Sequence, residues 1–242
     1  MNEILQSLYS RKSVRAYTEK EVSTEVKAQI LDAAAQAPSA GCQQLYTILD
    51  ITDPALKAQL AETCDHQPFI AKAPVVFIFC ADCLKWYDAY REAGAQPRAP
   101  GPGDLMLAVT DAVIAAQNAV VAAESLGLGS CYIGDIMENC EEHQRLLSLP
   151  EWVYPAAMLV MGYPTEQQRR REKPKRFEQR FFVQENGYHR LSGGELRDMF
   201  SGQTGKQSFE DFLRAFCQRK YNSDFSVEMS RSAWKYWEQF TD

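Results

Sequence analysis

The 242-residue sequence predicts an α+β fold, with helices covering a mainly antiparallel central sheet. Three observations carry that expectation. The unbroken apolar run Val75-Val76-Phe77-Ile78-Phe79-Cys80 reads as a central strand buried on both faces. Residues 104–126 read as one long helix, because Ala108, Ala112, Ala115, Ala116, Ala119 and Ala123 repeat along a smooth face that another element can approach closely. Strand-like and helix-like stretches also mix without the regular alternation of a βαβ chain.

Taken in order, a polar helix opens the chain. Residues 23–37 form a helix in which Ser23 caps the start, Glu25 sits in the first turn and Pro38 bars continuation. Residues 45–51 read as a strand, and Asp53-Pro54 starts a helix running to about Thr63. A possible helix follows at 84–92. Residues 94–103 hold three Gly and three Pro and form a loop, with core patterning resuming at once. Strands are expected at 129–134 and 156–161, with Gly127 and Gly129 stopping the long helix before them. Past Tyr163-Pro164 the chain turns polar and basic through Arg180, then reads as helices at 194–200, 209–220 and 227–240. We expect one domain over 1–242, with a core at 1–165 and a basic loop plus helical extension at 166–242.

Charge is unevenly spread. The net value of −6 divides into −9 over residues 1–165 and +3 over 166–242. An acidic body disfavours a general nucleic-acid binder, which needs many phosphate contacts. Seven cysteines, an odd number, after an N-terminus that leads straight into a polar helix suggest reduced thiols and a cytoplasmic setting. The most apolar stretch, 105–123, contains Asp111, Gln117 and Asn118, so it reads as a buried core helix and not a membrane span.

Four constellations could carry chemistry. Arg11-Lys12-Ser13-Val14-Arg15 places three cations and a hydroxyl together in a half short of positive charge, and Arg offers a planar fork matched to phosphate oxygens. Read alone, it is more often a solvated basic turn after the first helix. Ala37-Pro38-Ser39-Ala40-Gly41-Cys42-Gln43-Gln44 joins small residues, which let a flat ring approach the backbone, to amides that can bond its edge. A plain connecting loop is the equal alternative. Gly127-Leu128-Gly129-Ser130-Cys131-Tyr132-Ile133-Gly134 follows a helix and precedes a strand, the reverse of a dinucleotide fingerprint, and Gly134 suits close backbone approach to a ligand. Lys173-Pro174-Lys175-Arg176 ends a charge run that could close a phosphate pocket or simply be solvated.

Other motifs are weaker. Cys80-Ala81-Asp82-Cys83 has the spacing of a dithiol redox site, but no second CxxC or paired His completes a zinc site. Gly202-Gln203-Thr204-Gly205-Lys206-Gln207 fails as a phosphate loop, because Phe200 and Gln207 stand where Gly and Ser/Thr are needed. His66, His143 and His189 lie beside no plausible nucleophile, so a bound cofactor becomes the natural carrier of chemistry.

In their order along the chain, R-x-S-x-R, A-P-S-x-x-x-Q, G-L-G-x-x-Y-I-G and the late K-P-K-R together resemble the FMN-dependent nitroreductase family, in its oxygen-insensitive NADPH nitroreductase and NADPH–flavin oxidoreductase branch. The likeness covers roughly residues 3–190. It implies a nitroreductase-like homodimer with two FMN sites, and an NAD(P)H oxidoreductase passing two electrons to nitroaromatics, quinones or flavins by ping-pong turnover. Arg11, Lys12, Ser13 and Arg15 would hold FMN, with Arg11 and Ser13 at the phosphate. Arg15 would face the pyrimidine edge and stabilise the reduced ring. Ser39, Gln43 and Gln44 would reach the flavin from a second copy of the chain. Gln67 would bond the ring edge, and Tyr132, Ile133 and Gly134 would line its other face. Lys173, Lys175 and Arg176 would clasp the phosphate. The resemblance implies no metal and no side-chain acid or base. Asp135 departs from the family pattern, which usually has a second Gly there, and Phe69 lacks the hydroxyl often found at its place. A dithiol protein using Cys80 and Cys83, or a flavin binder without turnover, are the competing readings.

Overall fold

A computed structural model describes residues 1–241. Its sheet has four strands, β1 (Tyr46–Asp50), β2 (Val75–Asp82), β3 (Gly129–Ile133) and β4 (Val153–Gly162), in the order β1-β2-β4-β3. Every neighbouring pair is antiparallel. The apolar run of β2 lies inside this order, and all eight of its residues are buried.

Alternation along β2 divides the core into two layers. Phe77 and Phe79 face the alanines of α6 (Pro102–Ser125) and Ile30 and Ala34 of α2 (Thr24–Ala35). Val76, Ile78 and Cys80 face Leu60 and Ala61 of α3 (Pro54–Thr63) and Ile70 of α4 (Pro68–Ala71). The helix α6 is long and apolar enough to cross a membrane by composition, yet Leu105, Ala108, Asp111, Ala112, Ala115, Ala116, Ala119, Val120 and Ala123 are buried inside the fold.

Local signals act where the sequence places them. The Ser23 hydroxyl accepts from the Val26 N–H at 3.3 Å, and Asp53 caps the Pro54 helix through the Ala55 N–H at 2.9 Å. Gly127, with φ +79°, takes the left-handed turn that ends α6. Gly129 does not share that role: it is the first residue of β3, and a Cβ there would lie 2.4 Å from Val14 Cγ2. β4 starts earlier than the sequence suggests, because the register shift between Phe79 and Cys80 forms a bulge that accommodates Pro155 within the strand.

The remaining helices are α1 (Glu3–Ser10), α5 (Leu84–Glu92), α7 (Cys140–Leu147), α8 (Glu166–Arg170), α9 (Gly193–Phe200), α10 (Phe209–Lys220) and α11 (Asp224–Glu238). Contacts divide the chain into two units, Met1–Glu172 with the residues from Glu228 on, and Lys173–Val227. In the first, Arg231 of α11 pairs with Glu141 of α7 at 2.7 Å, while Tyr236 donates to the Cys140 carbonyl at 3.3 Å. In the second, Phe177, Phe200 and Phe209 pack edge to face, and Arg180 pairs with Asp198 at 2.6 Å.

Candidate functional site

The helix α1 stops at Ser10, and the chain leaves it with Arg11 at φ −52°, ψ 132°. It then runs beside β3. Ser13 bridges Ser130, and the Val14 N–H donates to the Ser130 carbonyl at 2.9 Å. Thr18 N donates to Tyr163 O at 2.9 Å, and Thr165 N donates to Ala16 O at 3.2 Å. Val14 is buried against Gly129, which has room for no side chain of its own. Extended backbone puts alternate residues on opposite sides. Arg11, Ser13 and Arg15 therefore share the side opposite Val14.

The Arg11 guanidinium donates to Ser130 Oγ at 3.4 Å and lies 5.9 Å from the Tyr132 ring centre. Its Nε is buried with no hydrogen-bond partner, and the Glu124 carboxylate is near enough to feel its charge. A buried cationic donor of this kind calls for an anion. Arg15 sits 5.9 Å from the Phe69 ring centre, which brings it to the start of α4, where Gln67 stands. Gln67 donates from Nε2 to the Cys64 carbonyl at 2.9 Å.

Tyr132 is partly buried, its hydroxyl donates to Gln117 Oε1 at 3.4 Å, and burial pushes its phenol up to about 12 against the opposing effect of Arg11. Ile133 is buried and Gly134 exposed. A Cβ on Gly134 would meet nothing nearer than Met137 Cε at 3.8 Å. The fold itself makes no demand for glycine there, so the open backbone is available to a flat ligand. The orphaned Arg11 donor and this uncovered strand end fit the phosphate and ring of a mononucleotide.

Lys12 points the other way. Its Nζ donates to Arg169 O at 2.7 Å and also to Arg171 O, while the Arg171 guanidinium donates to Ser13 O. These groups bind the N-terminal segment to the end of α8. Lys173, Lys175 and Arg176 belong to the second unit.

Ser39, Gln43 and Gln44 are assembled elsewhere, in the turn between α2 and β1. The Gln44 N–H donates to Ser39 Oγ at 3.0 Å, and its side chain donates to Ala35 O at 3.1 Å. Trp86 Nε1 of α5 donates to Gln43 O at 2.7 Å. Gln43 borders a cavity of about 420 Å³ with Trp86, Tyr87 and Tyr90. The candidate residues thus fall into two separate groups, one around Arg11–Arg15 and β3, the other on this turn.

The decoys resolve physically. Cys80 and Cys83 are both buried, fall in separate core layers, and have thiols that burial pushes up to about 12. Such thiols supply almost no thiolate near neutral pH. His143 is fully buried, with Nδ1 2.9 Å from Ile136 O and Nε2 2.8 Å from Thr63 Oγ1, and burial lowers its basicity. It ties α7 to α3. Sequence reasoning did not reach Asp111, whose carboxylate accepts backbone N–H groups from the 39–45 turn. Its one signal was a charge on an otherwise apolar helix face.

The sequence model of the Nitroreductase family matches residues 8–163, which include the N-terminal cationic motif, the 39–44 turn and β3. The chain is 31% identical to the FMN reductase [NAD(P)H] of Bacillus subtilis over 241 residues, covering 99% of this chain and 92% of that protein. It is 33% identical to the oxygen-insensitive NADPH nitroreductase of Salmonella typhimurium over 166 residues, 69% of this chain and 68% of that protein. The structure of B. megaterium NfrA2 superposes with a TM-score of 0.83 at 30% identity, covering 100% of this chain and 99% of that one. With that family model matching more than half of its length, and an α+β fold built on one antiparallel sheet, the chain belongs to the Nitroreductase family.

Proposed function

We propose that the chain is an FMN-dependent NAD(P)H oxidoreductase that reduces nitroaromatics, quinones or flavins. The observation that carries this reading is the Arg11–Arg15 segment laid along β3, with a buried Arg11 Nε that has no hydrogen-bond partner. Relatives bearing the names FMN reductase and NADPH nitroreductase support it. FMN bound there would supply two-electron redox chemistry between NAD(P)H and a second substrate. Arg11 and Ser13 face the phosphate. Arg15 stands at the ring edge, where a cation favours the charge that reduction leaves on the flavin. Tyr132, Ile133 and Gly134 line one ring face, and Gln67 serves its edge.

The reading includes a homodimer, in which the 39–44 turn completes the site of a second copy. Exposed apolar side chains on two packed helices support it: Ile4, Leu5, Leu8 and Tyr9 on α1, and Met106, Leu107 and Val113 on α6. Such a surface invites a partner. Seven free thiols suit a reducing cytoplasm. The buried Cys80 and Cys83 do not favour dithiol chemistry.

An absorption spectrum of the protein reconstituted with FMN, followed anaerobically after mixing with NADPH, tests the proposal. The expected result is stoichiometric FMN and rapid bleaching of the flavin band, reversed by a quinone. A protein that takes up no FMN overturns the reading. One that holds FMN but does not bleach with either NADPH or NADH is a flavin binder without turnover.

A further inference from the structure

Asp111 lies within the buried face of α6 and is 3% exposed. A buried carboxylate is costly unless it is well hydrogen-bonded. This one accepts the Ala40 N–H at 2.9 Å on Oδ1 and the Leu45 N–H at 3.2 Å on Oδ2. The two amides bracket the turn that carries Gln43 and Gln44. Between them, Gly41, Cys42 and Gln44 all take left-handed backbone, with φ 56°, 58° and 49°. Left-handed backbone is unfavourable for a side-chain-bearing residue, so Cys42 and Gln44 hold it only where surrounding contacts dictate it. Backbone bonds within the turn, from the Cys42 N–H to Ser39 O and from the Gln43 N–H to Ala40 O, close it locally. Its ends and side chains are held from outside: Asp111 fixes both ends, Ser39 Oγ accepts the Gln44 N–H, the Gln44 amide donates to Ala35 O, and Trp86 donates to the Gln43 carbonyl.

We infer that Asp111 is a positioning residue for the flavin site, setting the 39–44 turn so that Gln43 meets FMN held by a second copy of the chain. The inference rests on the flavin reading above. It makes the choice of Asp specific. Asn would fill the same volume, but its amide NH2 would face one of the two backbone N–H donors. One bond would be lost and a donor left buried without an acceptor. The turn would then keep its sequence and lose its shape.

The test is FMN titration of wild type, Asp111→Asn, Gln43→Ala and the double variant, each with its thermal midpoint and the visible circular dichroism of bound flavin. Each single change should raise the FMN dissociation constant on the order of tenfold, as expected for a displaced contact group. In the Gln43→Ala background, Asp111→Asn should add roughly twofold or less, because groups acting through one another are not additive. It should also change the flavin dichroism as Gln43→Ala does. A merely structural Asp111 would lower the thermal midpoint in both backgrounds and leave the affinity effects additive, which overturns the inference. Unaltered affinity in Gln43→Ala overturns the turn's contact with flavin, and the positioning role with it. Should Asp111→Asn not fold, amide exchange in the wild-type holoenzyme decides: Ala40 and Leu45 must exchange far more slowly than the exposed loop residue Gln96, and equal rates refute the clamp.

Discussion

Lys12 and Arg169 are joined side chain to backbone: the Lys12 ammonium donates to the Arg169 carbonyl oxygen at 2.7 Å, and to that of Arg171 beside it. Carbonyls at a helix end lack intrahelical donors, and a cation satisfies them. Within the cationic motif, Lys12 thus holds the chain, while the ligand roles proposed above fall to Arg11, Ser13 and Arg15. Lys12→Met should lower stability by about 1 kcal/mol, read as a drop of a few degrees in thermal midpoint. Its effect on FMN affinity should be smaller than that of Arg11→Ala.

Arg11→Ala removes a partly buried guanidinium whose buried Nε has no hydrogen-bond partner. The loss of a charge-assisted phosphate contact is about 1.5–3 kcal/mol. FMN affinity should fall roughly ten- to hundredfold, measured by fluorescence titration. Unchanged retention of FMN would remove Arg11 from the site.

Gly129→Ala should act at a distance from the cofactor. The new methyl would sit 2.4 Å from Val14 Cγ2 and 3.1 Å from Pro164 Cγ. Overpacking of this kind costs about 1–3 kcal/mol. It should also loosen FMN, because Val14 lies between Ser13 and Arg15. Val14→Ala in the same chain should recover much of both losses, by denaturant melt and flavin titration.

Cys83→Ala and Cys80→Ala should leave NADPH oxidation intact, since both thiols are buried and pushed up to about 12. Cys80→Ala opens a small void in the core and should lower stability by about 1 kcal/mol. Loss of turnover in either variant, with fold retained, would revive the dithiol mechanism.

Glu138 supplies a pH dependence. It is 6% exposed and its Oε1 has no partner; burial, then the nearby Asp135, Asp65 and Glu228, raise its carboxyl from 4.5 to about 7. The folded chain binds this proton more tightly than the unfolded chain does. Stability from this group is therefore full below pH 4.5, is lost as pH rises to about 7, and stays lost above. Glu138→Gln should stabilise the protein at pH 8 by about 2–3 kcal/mol and flatten that decline. Glu141 and Glu228, held at about 2 chiefly by hydrogen bonds from Arg231, contribute the opposite slope at lower pH. The difference between the two melting curves isolates Glu138.

Much of this was legible because local rules settled it. Asp53-Pro54 marks α3, the apolar run marks β2, and the alanine face marks α6. Helix α7 escaped notice because Asn139 enters it in left-handed backbone, with no side-chain cap to signal a start. Its buried His143 reads from sequence as a stray titratable group. Gly129 looked like a helix stop because its meaning depends on Val14, far away in the chain. Asp111 reads only as a polar residue that argues against lipid, because its partners Ala40 and Leu45 are backbone amides that no pattern of side chains announces. The cationic motif was visible; the division of labour between Arg11 and Lys12 was not, since both are simply positive until geometry separates them.

The pairing of Ser13 and Val14 with Ser130 also settles how the sheet ends. Beyond β3, unpaired amides and carbonyls would offer a template to any other extended chain. Here the stretch proposed to hold the cofactor pairs with that border at Ser130. Damage to it would cost the protein its cofactor and its protection against aggregation at the same stroke, so apoprotein with a displaced N-terminus should be the species that precipitates first.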